Sequence, residues 1–215
     1  MNQCIICGYP LGQLKSCPRC REEILKIAKP ILFNGEMVRA ILEDRKSVTR
    51  RLIRGFIPDK AEFGYTAFTP KNHISCRGYV GKEYAEKFFK LPYQVGDHLY
   101  VRETWGRYPV YNGTSHVYKA DCIDDDNLRK ATELVKRWKP SIHMPKELAR
   151  IFLKVTNVWV ERVQDLTEEQ GLKEGVSAFM EFAYLWNNIY GSKGYSWDAN
   201  PWVFVIEFEK IEIGD

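Results

Sequence analysis

Residues 34 to 51, NGEMVRAILEDRKSVTRR, constrain the fold more than any other stretch, because they predict a helix that stops abruptly and continues as a strand. Apolar residues recur at helical spacing after Asn34, whose side chain is suited to accept a hydrogen bond from a free amide of the first turn. Asp44 stands where the helix should end, at a position that often needs a left-handed backbone, which Asp tolerates better than most residues other than glycine. A helix-to-strand turn is therefore expected here.

The run that follows the turn, KSVTRR, is rich in cations and hydroxyls. Side chains alternate along an extended chain, which gives two sets on opposite sides: Ser47, Thr49 and Arg51 on one, and Lys46, Val48 and Arg50 on the other. The run could form a basic, exposed edge strand. It could also form a site where cations and hydroxyls meet a polyanion or a carbonyl substrate.

The composition limits the class of protein. With 215 residues, of which 45% are hydrophobic and 13% aromatic, the chain can build a proper core. The formal net charge of +4 permits nucleic acid as a partner without requiring it. No apolar run approaches the ~20 residues that a membrane helix needs, and the first residues lack a signal-like apolar region. We therefore expect a cytoplasmic protein with no membrane partner.

Two close cysteine pairs begin the chain, Cys4-x2-Cys7 and Cys17-x2-Cys20, with nine residues between them. In a chain without a secretion signal such pairs favour a metal over disulfides. Four thiolates complete a tetrahedral zinc site with no open coordination position, so we predict a structural Zn2+ in a zinc-ribbon-like knuckle and no catalysis there. A redox pair is the alternative. The knuckle and a linker helix would make up residues 1–28, and this unit could also dock a protein partner.

The rest of the chain, residues 29–215, predicts a mixed α+β domain in which about six strands alternate with short helices. One such helix is expected at residues 84–89, after an irregular loop at residues 54–71. Another begins at the capping box of Thr167 and Gln170 and ends at Glu174, before a glycine. A small closed or nearly closed β-barrel fits this order of elements, since closure removes exposed edges.

Polar and aromatic side chains gather in two further segments. Residues 94–104 predict a Gly-Asp turn followed by a strand whose polar end suggests that it opens into a cavity. Segment 138–145, WKPSIHMP, lies between two prolines that fix its backbone, and a rigid polar loop is more often a binding element than a linker. A single histidine, however, is often structural. The candidate site residues in and beside these segments are Arg102, Glu103, Trp105, Lys139, Ser141 and His143.

Five motifs follow one another along the chain: DRKSVTRR, GDHLYVRETW, WKPSIHMP, LTEEQGLKEG and NPWVFVIEF. Together they resemble the ASCH family, and more narrowly the ASCH-like proteins that bacteriophages and prophages encode. The family pattern of glycine, any residue, lysine, four residues and arginine is matched by Lys46 and Arg51, with Asp44 in the place of the glycine and Ser47 where the family often has threonine. The resemblance spans residues 29 to 211 and implies a PUA-like β-barrel with a cleft lined by the helix-to-strand turn.

Most ASCH and PUA-like proteins are linked to RNA or to modified nucleotides, so the resemblance implies that this chain binds such a ligand. Cationic side chains would contact phosphates, while Trp105, His143 or Trp197 would stack on a base. The implied binding residues are Ser47, Arg50, Arg51, Arg102, Glu103, Trp105, Lys139, Ser141, His143 and Trp197.

One small bacterial ASCH family hydrolyses the acetyl amide of N4-acetylcytidine with a lysine, a threonine and a glutamate, which Lys46, Thr49 and Glu174 match. In that chemistry the threonine hydroxyl is the nucleophile, and a lysine whose pKa is lowered takes its proton. A carboxylate holds the lysine, and Arg51 or a backbone amide stabilises the oxyanion. The resemblance therefore implies amide hydrolysis as an alternative to binding alone. A third alternative is a phage assembly or interaction protein.

Overall fold

A computed structural model describes residues 18–121 and 126–211 of the chain, and this part is mixed α+β, mostly sheet with short helices. The elements of these two ranges follow one another as α1 (Pro18–Ile27), β1 (Lys29–Leu32), α2 (Gly35–Leu42), β2 (Val48–Leu52), β3 (Asp59–Gly64), β4 (His73–Val80), β5 (Glu83–Lys90), β6 (His98–Arg102), β7 (Trp105–Val110), β8 (Gly113–Tyr118), α3 (Asp126–Glu133), β9 (Phe152–Arg162), α4 (Glu168–Lys173), α5 (Phe179–Tyr190) and β10 (Trp202–Ile211). None of the described helices is long and apolar enough to cross a membrane.

The strands form three sheets, with the orders β1-β6-β9-β10-β2, β3-β4-β5 and β7-β8. Within the described ranges none of the three sheets closes on itself, so the prediction of a closed barrel is wrong. The sequence suggested closure because closure removes edges. The chain instead ends its largest sheet in two short strands of four and five residues, β1 and β2, and short edge strands also limit unwanted pairing.

The predicted helix-to-strand turn is confirmed. The side chain of Asn34 accepts a hydrogen bond of 2.8 Å from the backbone N–H of Met37 and caps α2. The helix buries Val38 and Ile41, and Asp44 follows with a left-handed φ of 56°. The basic run, residues 46–51, follows this turn directly.

Residue contacts divide the chain into two compact units. The first consists of the described residues of Met1–Ser47, Asp97–Lys154 and Glu209–Asp215. In it β1 pairs with β6 in parallel and β6 pairs with the start of β9 antiparallel, while β7 and β8 form a hairpin in which Val110 pairs with Gly113. Its core contains Ile24, Trp105, Tyr118, Met144, Ala149 and Phe152.

The second unit consists of Val48–Gly96 and Val155–Phe208. Here β2 pairs antiparallel with β10, and α5 packs on a core formed by Val48, Val163, Leu166, Phe182, Trp186, Val203 and Val205. The capping box that opens α4 is confirmed, since Thr167 and Gln170 bond each other's backbone N–H groups. Glu174 is the C-cap of this helix.

The same unit contains an antiparallel meander, β3-β4-β5, where the sequence predicted a loop and a helix. Residues 84–89 belong to β5, which pairs along its whole length with β4, from Val80↔Glu83 to His73↔Lys90. A helix of six residues is marginal in isolation, and the aromatic residues of this segment suit a strand once a partner edge is present. Both predictions are therefore wrong, because pairing with a neighbouring strand outweighs the local pattern.

Candidate functional site

Buried polar side chains mark the candidate site. In the part of the chain that the structure describes, six polar or charged residues are 4% exposed or less: Lys46, Thr49, Arg50, Ser75, Glu103 and Glu174. Removing a charge from water costs several kcal/mol unless partners compensate it. Five of the six are residues that the family resemblance singles out, so each of them needs a structural or a chemical explanation.

Arg50 of β2 is the centre of a buried ion network in the second unit. Its guanidinium donates to Oε1 of Glu161 from Nε and Nη2, at 2.9 and 2.7 Å, and to Oε1 of Glu174 from Nη1, at 3.0 Å. Nη2 also donates to Gln170 at 3.1 Å, and the group lies over the Phe182 ring, 5.8 Å from its centroid. Before Arg50 could contact a phosphate, it would have to release these partners.

The capping box positions Glu174 in this network. Gln170 accepts hydrogen bonds from both the Thr167 backbone and Arg50, so the first turn of α4 is fixed against β2. One turn later the C-cap carboxylate of Glu174 meets the same guanidinium. Thr49, next to Arg50 on β2, is buried, and alternation along the strand directs it to the opposite side from Arg50. Arg51 is half-buried.

Trp197 lies in the core of the second unit rather than on an open surface. It is half-buried and makes edge-to-face contacts with Phe179 and Phe182, with ring centroids 5.8 and 6.1 Å apart. Its backbone N–H donates to Asn187 at 2.7 Å. Part of the ring is therefore already occupied by neighbouring aromatic groups.

Lys46 belongs to the first unit and follows the Asp44 turn. Its backbone N–H donates to the carbonyl of Ala40 at 2.9 Å, which anchors it to the last turn of α2. Its Nζ lies 5.7 Å from the centre of the Phe33 ring, within the range of a cation–π contact. The adjacent Ser47 is half-buried. Both the backbone and the ammonium group of Lys46 thus make contacts inside the protein.

Glu103 is held by an arginine that the sequence gave no reason to select. Arg150 donates from Nε and Nη2 to the two oxygens of Glu103, at 2.8 and 3.0 Å. The same guanidinium donates from Nη1 and Nη2 to Asp121, at 2.7 Å each, and lies 4.1 Å from the centre of the Tyr118 ring. Two bidentate contacts fix one guanidinium between two carboxylates.

Burial and ion pairing shift the pKa values of Glu103 and Arg150 in opposite directions. Burial raises the pKa of Glu103, and the hydrogen bonds and charge of Arg150 lower it by less than burial raises it. The negative charge of Asp121 adds to the upward shift. Burial lowers the pKa of Arg150, but the two carboxylates outweigh it and hold that pKa above its usual value. Arg150 therefore remains charged.

We expect the stability difference between the wild type and Glu103→Gln to depend on pH. Because the pKa of Glu103 is raised on folding, its contribution is fully present below the usual glutamate pKa and is lost as pH rises through the raised value. The advantage of the wild type in urea unfolding should therefore shrink from about pH 4.5 upward. The exposed Glu83→Gln should show no such trend. An advantage that grows with pH would mean that the ionised pair with Arg150 dominates instead.

A cleft of about 640 Å3 adjoins this trio in the first unit. Arg150 and Asp121 reach its wall, and Glu103 is joined to it through Arg150. The complete lining is Arg21, His116, Val117, Tyr118, Asp121, Glu147, Leu148, Ala149 and Arg150. Both charge signs and the rings of Tyr118 and His116 are thus presented in a single depression.

Trp105 is buried rather than available for stacking. It is 1% exposed, and its backbone exchanges hydrogen bonds of 3.2 and 2.8 Å with that of Lys139. The Nζ of Lys139 lies 4.8 Å, and the guanidinium carbon of Arg107 5.5 Å, from the centre of its ring. Its Nε1 finds no hydrogen-bond partner in the described part of the chain. A base could stack on this ring only after Trp105 moved.

Arg102 organises the predicted binding loop. Its guanidinium donates to the backbone carbonyls of Met144, at 3.1 Å, and Ile142. These bonds hold the 3-10 turn Ser141–His143, in which Ser141 is half-buried and His143 is exposed. The structure thus brings Arg102, Ser141 and His143 together around one rigid turn.

Three of the four predicted zinc ligands are outside the residues that the structure describes. Cys4, Cys7 and Cys17 lie outside the described residues, and Cys20 falls within α1. The two described ranges contain no group of three or more His, Cys, Asp or Glu side chains that could hold a metal. The four-cysteine zinc knuckle therefore stays a prediction from the spacing of the cysteines.

No protein-family model, no curated protein and no solved structure matches this chain. The resemblance to the ASCH family therefore rests on the five motifs and their order alone. The function has to be inferred from the buried polar side chains and their contacts.

Proposed function

We propose that this chain is an ASCH-family protein that binds a modified nucleotide or nucleoside, such as one derived from RNA, with Lys46 and Thr49 as ligand contacts. The observation that carries the proposal is that both residues are 3% exposed or less. The phosphates of a polymer resting on the surface do not reach such side chains, and contact with them requires a ligand small enough to enter the protein, such as a single base. The ligand is therefore a base or nucleoside rather than a long polyanion.

The buried groups offer the chemistry that a nucleobase edge requires. An ammonium group supplies donors only, while a hydroxyl both donates and accepts. Arg50 is assigned a structural role in this proposal, because Glu161 and Glu174 already use its donors.

Titration calorimetry with N4-acetylcytidine and cytidine tests the proposal. We expect Thr49→Val, which keeps the shape of the side chain and removes its hydroxyl, to weaken binding by roughly tenfold, since a lost buried hydrogen bond costs about 1–3 kcal/mol. Thr49→Ser should retain most of the affinity. Lys46→Met should lose at least as much as Thr49→Val, whereas the exposed Lys136→Met should lose none. Equal affinities in Thr49→Val and the wild type would contradict the proposal.

Amide hydrolysis is the second candidate, and one observation favours it. Lys46, Thr49 and Glu174, the three residues of the implied trio, are each 3% exposed or less, as acyl transfer shielded from water requires. Glu174 bonds Arg50, the neighbour of Thr49 on β2, at 3.0 Å, on the face of the strand opposite to Thr49. Lys46 precedes this strand by two residues.

In the proposed reaction the Thr49 hydroxyl oxygen attacks the acetyl carbonyl, and Lys46 takes the hydroxyl proton. The bond from the acetyl carbon to N4 then breaks, and the proton passes to the leaving amine, which releases cytidine. Water hydrolyses the acetyl ester on Thr49 to give acetate and restores the hydroxyl.

A further inference from the structure

We infer that the β3-β4-β5 sheet and the segments that flank it form a docking surface for single-stranded nucleic acid, which we call the aromatic-basic surface (residues 54–90). It lies wholly within the second unit and uses none of the residues 46–51. The inference therefore goes beyond the proposed function and does not depend on it.

Exposed aromatic side chains are concentrated on this surface. Of the seven aromatic residues that are exposed in the described part of the chain, five lie here: Phe56, Tyr65, Phe68, Tyr79 and Tyr84. Their exposed fractions range from 56% to 84%. Aromatic rings presented to solvent from a sheet are a common platform on which unpaired bases stack.

The two tyrosines at one end of the sheet form an ordered pair. Tyr79 of β4 is directly opposite Tyr84 of β5, and their ring centroids are 5.8 Å apart in an edge-to-face arrangement. The side chains of Ile74 and Cys76, which alternate with this face, are buried against the core. Ser75, which shares the face of Tyr79 farther along β4, is also buried, so the exposed part of this face lies at the β4–β5 turn, where the tyrosine pair stands.

Phe68 is held exposed by a defined turn. Thr69 donates its backbone N–H to the carbonyl of Thr66 at 3.0 Å, and its hydroxyl accepts from the Thr66 backbone at 2.7 Å. These bonds fix the connection from β3 to β4, and Phe68 is 84% exposed within it. An apolar ring presented by a fixed turn is pre-organised for a contact with a partner.

Cationic side chains outnumber carboxylates on this surface. Residues 54–90 contain seven Lys and Arg against four Asp and Glu. None of the seven cations forms an ion pair with a carboxylate whose side chain the structure describes, and Nε of Arg77 is buried without a hydrogen-bond partner among those residues. Six of the seven are exposed.

A segment that carries both exposed cations and exposed aromatic rings fits one class of partner better than others. Phosphodiester groups neutralise the cations with release of counterions, and bases cover the rings. Only a single strand offers phosphates together with bases that are free to stack on the rings, because the bases of a duplex are stacked on one another. The occupant is therefore single-stranded RNA or DNA rather than a duplex.

Fluorescence anisotropy of a labelled, unmodified, uridine-rich oligonucleotide with the full chain tests the inference. We expect Tyr79→Ala/Tyr84→Ala to raise Kd by at least about fivefold, since base–aromatic stacking contributes about 1–3 kcal/mol per base. Tyr111→Ala and Tyr184→Ala, which remove exposed tyrosines elsewhere, serve as matched controls and should leave Kd unchanged. Because all four side chains are exposed, the fold should be retained in each variant, as checked by thermal unfolding.

Salt dependence gives a second, independent readout. The slope of log K against log salt should become less steep by roughly 0.7 for each cation removed, in Lys82→Gln and Lys90→Gln. The matched single-stranded DNA oligonucleotide should bind as well, because neither stacking on the rings nor neutralisation of the phosphates depends on the sugar. Absence of binding at low salt, equal affinity for a duplex, or unchanged Kd in the tyrosine double variant would overturn it. The probe has no modified base and the variants keep Lys46 and Thr49, so this result is separable from the nucleoside titration.

Discussion

Arg50→Met is expected to lower the free energy of unfolding by about 3–5 kcal/mol, the usual cost of removing one partner of a buried ion network. The Arg50 side chain is fully buried, and its loss leaves Glu174, itself 3% exposed, without that cation. Methionine fills much of the volume, so the cost reports the uncompensated carboxylate rather than a cavity. Urea unfolding followed by tryptophan fluorescence measures it.

An exposed pair provides the matched control. Arg45 and Glu43 form an ion pair of 2.5 Å, but both side chains are about half exposed. Arg45→Met should therefore cost only about 0–1 kcal/mol. The double variant Arg50→Met/Glu174→Gln should recover part of the loss, because it removes the carboxylate that would be stranded. If Arg50→Met were as mild as Arg45→Met, the network would not be structural, and a phosphate-binding role for Arg50 would become the better explanation.

Sequence predictions that depend on a few neighbouring residues succeeded, and those that depend on residues far away in the chain failed. The cap at Asn34, the left-handed Asp44 and the capping box of Thr167 and Gln170 each depend on a few neighbouring residues, and all are confirmed. The helix expected at residues 84–89 failed for the converse reason, since its outcome depended on the edge offered by β4. Local chemistry is readable from the sequence, and strand partners are not.

The candidate site shows the same division. Lys46, Thr49, Arg50, Glu103 and Glu174 could be selected from motifs, and all five are buried. Arg150 could not, because it meets Glu103 and Asp121 across 47 and 29 residues of chain, and no local pattern marks it. The basic run also suggested an exposed strand, whereas packing against α5 buries Val48 beside Phe182.

Hydrolysis of N4-acetylcytidine, followed by chromatography of released cytidine, separates the two proposed functions. If Lys46, Thr49 and Glu174 are catalytic, Lys46→Ala should lower kcat by on the order of 10²–10⁴-fold, the usual contribution of a general base. Thr49→Val should abolish covalent turnover, while Thr49→Ser keeps a nucleophilic hydroxyl and should retain measurable activity. The serine variant is the control, because a threonine with only a structural role would give the same loss of turnover in Thr49→Ser as in Thr49→Val.

Glu174 needs a different readout, because its carboxylate also holds Arg50. Glu174→Gln should lower stability through that contact, so its catalytic role must be judged from the pH profile of kcat in protein shown to be folded at each pH. A changed profile at retained fold would assign Glu174 to the proton transfer. Equal turnover in Thr49→Val and the wild type would exclude the threonine nucleophile. No turnover by folded wild type, together with tight binding in the titration, would leave a protein that recognises the base without cleaving it, with Lys46 and Thr49 serving as contacts only.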